Sequence, residues 1–141
     1  MKDQDKKKGA LSGILVLDLT RVLAGPFCTM LLGDMGAEII KIETPGAGDD
    51  SRRYPPFIGD NSAYFMNLNR NKKSITLNLK ADEGKNVFFD LTQKADVIIE
   101  NFRPGTMEKL GIGYDQIRSY NPDIIFSSIS GFGQTGPYRD R

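Results

Sequence analysis

Apolar residues in this chain fall into short continuous runs separated by helix-spaced segments. Residues 14–19 (ILVLDL) are nearly all apolar and partly β-branched, the pattern of a parallel strand covered on both faces. A turn over residues 20–25 leads to Pro26, suited to a first helical turn because its missing N–H costs nothing there. Residues 27–35 are apolar nearly all round and predict a deeply packed helix, stopped at Gly36. Residues 37–43 (AEIIKIE) predict a second strand. A loop rich in Pro, Gly and Asp follows over residues 44–62, and loops of that length inside a domain are usually functional or covered. Residues 64–69 read as a short strand or turn. Residues 73–79 (KSITLNL) alternate, placing Ile75, Leu77 and Leu79 on one face of a third strand.

Asp82 and Glu83 suit the start of the next helix, whose dipole favours acidic residues there. Val87, Phe88, Leu91 and Ala95 predict its buried face. Residues 96–100 (DVIIE) predict a fourth strand, residues 104–110 and 115–120 two short helical turns, and residues 123–130 (DIIFSSIS) a fifth strand. That strand is apolar or small on both faces, and the Gly-rich stretch after it cannot form a covering helix, so an exposed strip prone to association is expected. Strands alternating with helices imply right-handed crossovers and an α/β fold with a Rossmann-like, mostly parallel sheet. In such sheets ligands bind beyond the carboxyl ends of the strands. Here those ends are the Gly- or Pro-bearing stretches 20–26, 43–45, 101–105 and 131–137.

Composition narrows the chemistry. With 141 residues the chain fits one domain, with residues 1–10 expected as a charged tail and residues 11–141 as the α/β unit. There is no His, one Cys and no Trp, so neither a Ser-His-Asp system nor a His/Cys metal site can be assembled from this chain. Nineteen Lys and Arg against 18 Asp and Glu leave a net charge of +1, with no basic field for nucleic acid. No apolar run approaches the roughly 18 residues of a membrane-spanning helix, so no membrane association is expected. The charged N-terminus has no apolar core of a secretory signal and mixes Asp with Lys, unlike a mitochondrial presequence. A cytoplasmic location is expected, with a mitochondrial one left open.

The strand ends supply candidate residues. The turn over residues 20–26 opens a helix N-terminus, an anion-favouring place, but lacks the GxGxxG pattern of a dinucleotide fold. Glu43 closes the second strand and reads as a solvated strand end. Arg70, Lys72, Lys73 and Lys80 bracket the third strand, as a phosphate cluster or as a basic surface loop. Phe102 offers a face for a flat ring and Arg103 a partner for phosphate, or the two are a loop hydrophobe and a solvated cation. Cys28, inside the apolar helix, reads as buried rather than reactive.

Five segments in order carry a resemblance: VLDLTRVLAGPF (16–27), GAEIIKIE with Pro45 and Gly46 (36–46), NRNKKSI (69–75), ENFRPG (100–105) and SGFGQTGP (130–137). Together they resemble the N-terminal part of the class III CoA-transferases, the formyl-CoA and carnitine CoA-transferase (CaiB/BaiF) family, most of all its succinyl-CoA–glutarate branch. The resemblance implies a CoA site contacted by Val22, Leu23, Ala24, Leu77, Lys80, Asn101, Phe102, Arg103 and Lys109. It implies acyl-CoA and a small carboxylate as substrates, no permanently bound cofactor, and an interlocked homodimer for the full-length form. Two positions depart from the pattern. Leu23 stands where formyl-CoA transferases carry a Gln, which disfavours formyl and oxalyl groups. Thr44 stands where an Arg often flanks the adenine. Family members are longer, and their nucleophilic Asp, which forms an anhydride and then a CoA thioester, falls beyond the position matching Arg141. The chain is therefore expected to hold a CoA cradle with no catalytic residue and to be inactive alone. An acyl-CoA racemase fragment and a non-catalytic CoA- or nucleotide-binding module are the other readings.

Overall fold

The computed structural model describes residues 9–141. The charged tail expected over residues 1–10 lies outside them except for its last two residues. Of these, Gly9 packs against Gly36 and its carbonyl accepts a bond from the Ser12 N–H.

The elements run β1 (Leu15–Asp18), α1 (Ala24–Asp34), β2 (Glu38–Glu43), a 3-10 turn (Asp50–Arg53), β3 (Phe57–Ile58), β4 (Asn61–Ser62) and α2 (Ala63–Leu68). They continue with β5 (Lys72–Thr76), α3 (Asp82–Thr92), β6 (Val97–Glu100), α4 (Thr106–Leu110), α5 (Tyr114–Tyr120) and β7 (Ile125–Ser128). Five strands form one parallel sheet in the order β5-β2-β1-β6-β7, with Leu17 of β1 beside Ile40 and Ile98. The order reverses between β1 and β6, which places the crevice of a doubly wound sheet at their carboxyl ends.

The apolar strand runs are explained by cover on both faces. Leu17, Leu19, Ile42 and Ile98 pack with Phe88 of α3 and Ile117 of α5 on one side. Val16, Ile39 and Ile99 pack with Cys28 and Leu32 of α1 on the other. Phe89 stacks on Tyr120, their rings 4.2 Å apart, and joins α3 to α5.

Several expectations are corrected. Helix α1 is not packed all round: it buries Gly25, Pro26, Thr29 and Met30, and leaves Leu23, Phe27, Leu31 and Met35 exposed. Small residues face the sheet because the backbone approaches closely; a methyl group on Gly25 would sit 2.3 Å from Thr20 Cβ. Val87 is exposed, whereas Phe88 and Ala95 are buried, so the inward face of α3 turns further toward Phe89. Residues 63–68 are a helix, not a strand, because Ser62 caps it: its Oγ accepts the Phe65 N–H at 3.1 Å. Strand β5 stops at Thr76, though Leu77 and Leu79 still pack on the core. Edge strand β7 is covered better than expected. Ile124 is buried and Phe126 lies 5.7 Å from the Tyr114 ring, leaving Ile125 as the exposed residue.

Candidate functional site

Two clefts open at the carboxyl edge of the sheet, separated by Phe102. The first, about 340 Å³, is lined by Thr20 and Arg21 after β1, Glu43 and Thr44 after β2, Leu77 and Lys80 after β5, and Phe102 and Leu110. The second, about 390 Å³, is lined by Ala24, Asn101 to Pro104, residues 129–132, Arg139 and Arg141. Of the residues singled out in the sequence, Leu77, Lys80 and Phe102 meet in the first cleft, and Ala24, Asn101, Phe102 and Arg103 in the second. Val22 is half-buried in the turn behind them, Leu23 is exposed at the start of α1, and Lys109 is exposed on α4; these three line neither cleft. Among the described residues no carboxylate lies within ion-pairing distance of Lys80, Arg103 or Lys109.

The basic cluster does not form one phosphate site. Arg70 pairs with Asp34 and Lys73 with Glu38. Lys72 turns inward, where its Nζ donates to Asp18 Oδ2 at 3.0 Å, the Pro26 carbonyl at 2.9 Å and Asn69 Oδ1 at 2.9 Å. Burial holds its ammonium below the ordinary lysine range, against the pull of Asp18. Of the four, only Lys80 remains at the cleft.

Asn101 positions as well as lines. Its Oδ1 accepts the Arg21 N–H and its Nδ2 donates to the Arg21 carbonyl, both at 2.8 Å, tying the β1–α1 turn to the β6–α4 turn. The Arg21 guanidinium lies 5.5 Å from the Phe102 ring centre, within cation–π reach. Buried Glu100 accepts the Phe102 N–H at 2.7 Å and so shapes the same turn; burial pushes its carboxyl above the usual range.

Glu43 is not a solvated strand end. It is buried, receives Arg52 through Nε at 2.7 Å and Nη2 at 2.6 Å, and accepts from Ser74 Oγ at 2.6 Å and the Asp49 N–H at 2.8 Å. Burial alone raises its carboxyl, but these donors outweigh it and bring the pKa to about 2 from the ordinary 4.5. The unfolded carboxyl therefore takes up its proton first as acid is added, so Glu43 supports the fold above pH 4.5 and loses that effect as pH falls toward about 2. Urea midpoints across this range are expected to fall with acid, and Glu43→Gln to flatten the fall. An unchanged slope in Glu43→Gln would exclude this assignment.

Sequence reading also missed Lys41 and Asp49. The Lys41 Nζ donates to the Thr20 carbonyl at 2.8 Å and lies 2.9 Å from Asp49 Oδ2, both side chains almost wholly buried. The available signal was a lysine flanked by Ile40 and Ile42 inside a strand. The position of its partner in the long loop carried no such signal.

With this geometry in place, the comparisons with known proteins are specific. The model of CoA-transferase family III matches residues 11–141. The human succinyl-CoA:glutarate CoA-transferase is 53% identical over 93% of this chain and 30% of its own length. The acetyl-CoA:oxalate CoA-transferase of Acetobacter aceti is 54% identical over 94% of this chain and 34% of its own. The crystal structure of a CaiB/BaiF family protein from Brucella suis superposes with a TM-score of 0.90 at 41% identity, over 96% of this chain and 37% of that one. The chain thus spans about a third of the length of the curated relatives it matches. On a family match that extends from Leu11 to the last residue, the chain belongs to CoA-transferase family III.

Proposed function

We propose that residues 11–141 form the CoA-binding portion of an acyl-CoA:carboxylate CoA-transferase acting on small carboxylic or dicarboxylic acids. The observation that carries this is the meeting of Lys80, Leu77 and Phe102 at the carboxyl edge of the sheet, beside Asn101 and Arg103. A diphosphate, a 3′-phosphate and an adenine need cations and a flat apolar face, and these residues supply both. CoA then lies across the ends of β1, β5 and β6. The acyl-CoA thioester and the carboxylate are substrates, and no resident cofactor takes part. The relatives described above carry transferase names, which favours this reading over a racemase. Leu23, exposed at the entrance to α1, is the residue we assign to selecting a carboxylate other than formate or oxalate. A full-length interlocked homodimer belongs to the same proposal and rests on the family resemblance; a cytoplasmic location is proposed with it, a mitochondrial one being left open.

Calorimetry with CoA tests it. Lys80→Ala and Arg103→Ala are each expected to weaken binding by ~1 kcal/mol, the loss of a charge-assisted contact. Parent-like binding by both variants means that the site is misplaced. In the same series the 141-residue chain, incubated with succinyl-CoA and dicarboxylates, is expected to show no acyl exchange above background. Exchange above background would overturn the assignment of the nucleophile to a residue outside this chain.

A further inference from the structure

The β1–α1 turn is held almost entirely by side chains from other elements. Asp18 accepts the Thr20 N–H at 2.9 Å, Lys41 donates to the Thr20 carbonyl, and Asn101 takes both backbone groups of Arg21. The next N–H, that of Val22, goes to Asp49 Oδ1 at 3.1 Å. Val22 is left-handed, with φ of 70°. That conformation strains a β-branched residue, which keeps it only where surrounding contacts impose it. Asp49 is built to impose it. Its Oδ1 also accepts from the Ser51 N–H at 2.9 Å and Ser51 Oγ at 2.7 Å, and its backbone N–H donates to Glu43. Its other oxygen faces Lys41. Burial raises the Asp49 carboxyl, and the Lys41 charge together with the Ser51 donors more than offsets this, so the residue stays an anion.

We propose that Asp49, paired with Lys41, is a positioning residue for the substrate site: it holds Val22 left-handed and thereby fixes how the chain enters α1 beside Ala24. The inference rests on the CoA reading above as far as binding is concerned. Its conformational part stands on the turn alone. Glycine adopts the left-handed region without strain, so the need for Asp49 must fall when Val22 is replaced by glycine. A merely structural ion pair carries no such dependence on the residue at this position.

The experiment is a cycle of four proteins: parent, Lys41→Met/Asp49→Ala, Val22→Gly, and the triple variant. Removing both charges together leaves no orphaned ion in the core. Hydrogen–deuterium exchange over residues 20–24 reads the turn without ligand, and calorimetry with CoA reads the site. With Val22 present, the charge-removed protein is expected to exchange faster in this turn and to bind CoA about tenfold more weakly. In the Val22→Gly background, the same removal is expected to change either quantity by less than about threefold. Equal losses in the two backgrounds, or slow exchange kept after the charges are removed, overturn the proposal. A parent that does not bind CoA but shows the coupled exchange overturns the CoA reading and supports the positioning of the turn by Asp49. Coupled exchange together with CoA affinities that do not couple overturns the claim that the turn sets the site.

Discussion

Asp18→Ala is expected to cost about 3–5 kcal/mol of folding stability, because it leaves a buried lysine without its counter-ion. Asp18 is wholly buried at the end of the central strand. It accepts from the Thr20 N–H and hydroxyl, from Thr29 Oγ1 at 2.7 Å and from Lys72 Nζ at 3.0 Å. One carboxylate thus joins β1, the turn after it, α1 and the edge strand β5. The side chain of Lys72 is 1% exposed, so water cannot replace the lost partner. Against the roughly 5–15 kcal/mol of a typical domain the loss takes a large share of the total. Urea denaturation followed by circular dichroism measures it. Asp18→Ala/Lys72→Met is expected to recover part of the loss, since replacing both ions by apolar groups is far cheaper than orphaning one. A loss below about 1 kcal/mol in Asp18→Ala would show that Lys72 finds other solvation and that the pair is not what joins these elements.

The second large effect concerns association. Leu23, Phe27, Leu31 and Met35 are 52%, 48%, 42% and 44% exposed and recur every fourth residue along α1 and its two capping positions, forming one apolar stripe. Ile125, 63% exposed on edge strand β7, adds an open position on a strand with a free side. A continuous apolar strip of this kind is rare on a monomer. The 141-residue chain is therefore expected to self-associate, giving a light-scattering mass well above 15.7 kDa at micromolar concentration. Leu31→Glu is expected to shift it toward monomer, because the charge lies in the middle of the stripe, on the side of α1 turned away from the sheet. Ile125→Lys is expected to act in the same direction by blunting the edge. A parent that runs as a cooperatively melting monomer would refute this and revive the reading as a stand-alone binding module.

Much of this protein was legible without coordinates, and the physical reason is local. Strand runs such as residues 14–19 read as parallel because a strand covered on both faces has no polar side to show. The turn residues at the strand ends could be placed because Gly and Pro punctuate the chain directly. Five motifs in fixed order were enough to indicate the family. What the tertiary structure decided is how polar groups far apart in the chain find each other. Lys72 and Asp18 are 54 positions apart and meet because β5 is the second neighbour of β1 in the sheet. No run of residues encodes that neighbour relation. The basic cluster around the third strand could therefore be read as a phosphate site or a surface loop, when three of its members are held by Asp34, Asp18 and Glu38. The exposed face of α1 was hidden for the same reason. A helix apolar on every side carries no periodic signal, and the sheet, through its close approach to Gly25 and Thr29, selected which side to bury. Left-handed Val22 belongs here too. Nothing in its own sequence favours that conformation, and the side chain that imposes it lies 27 residues away.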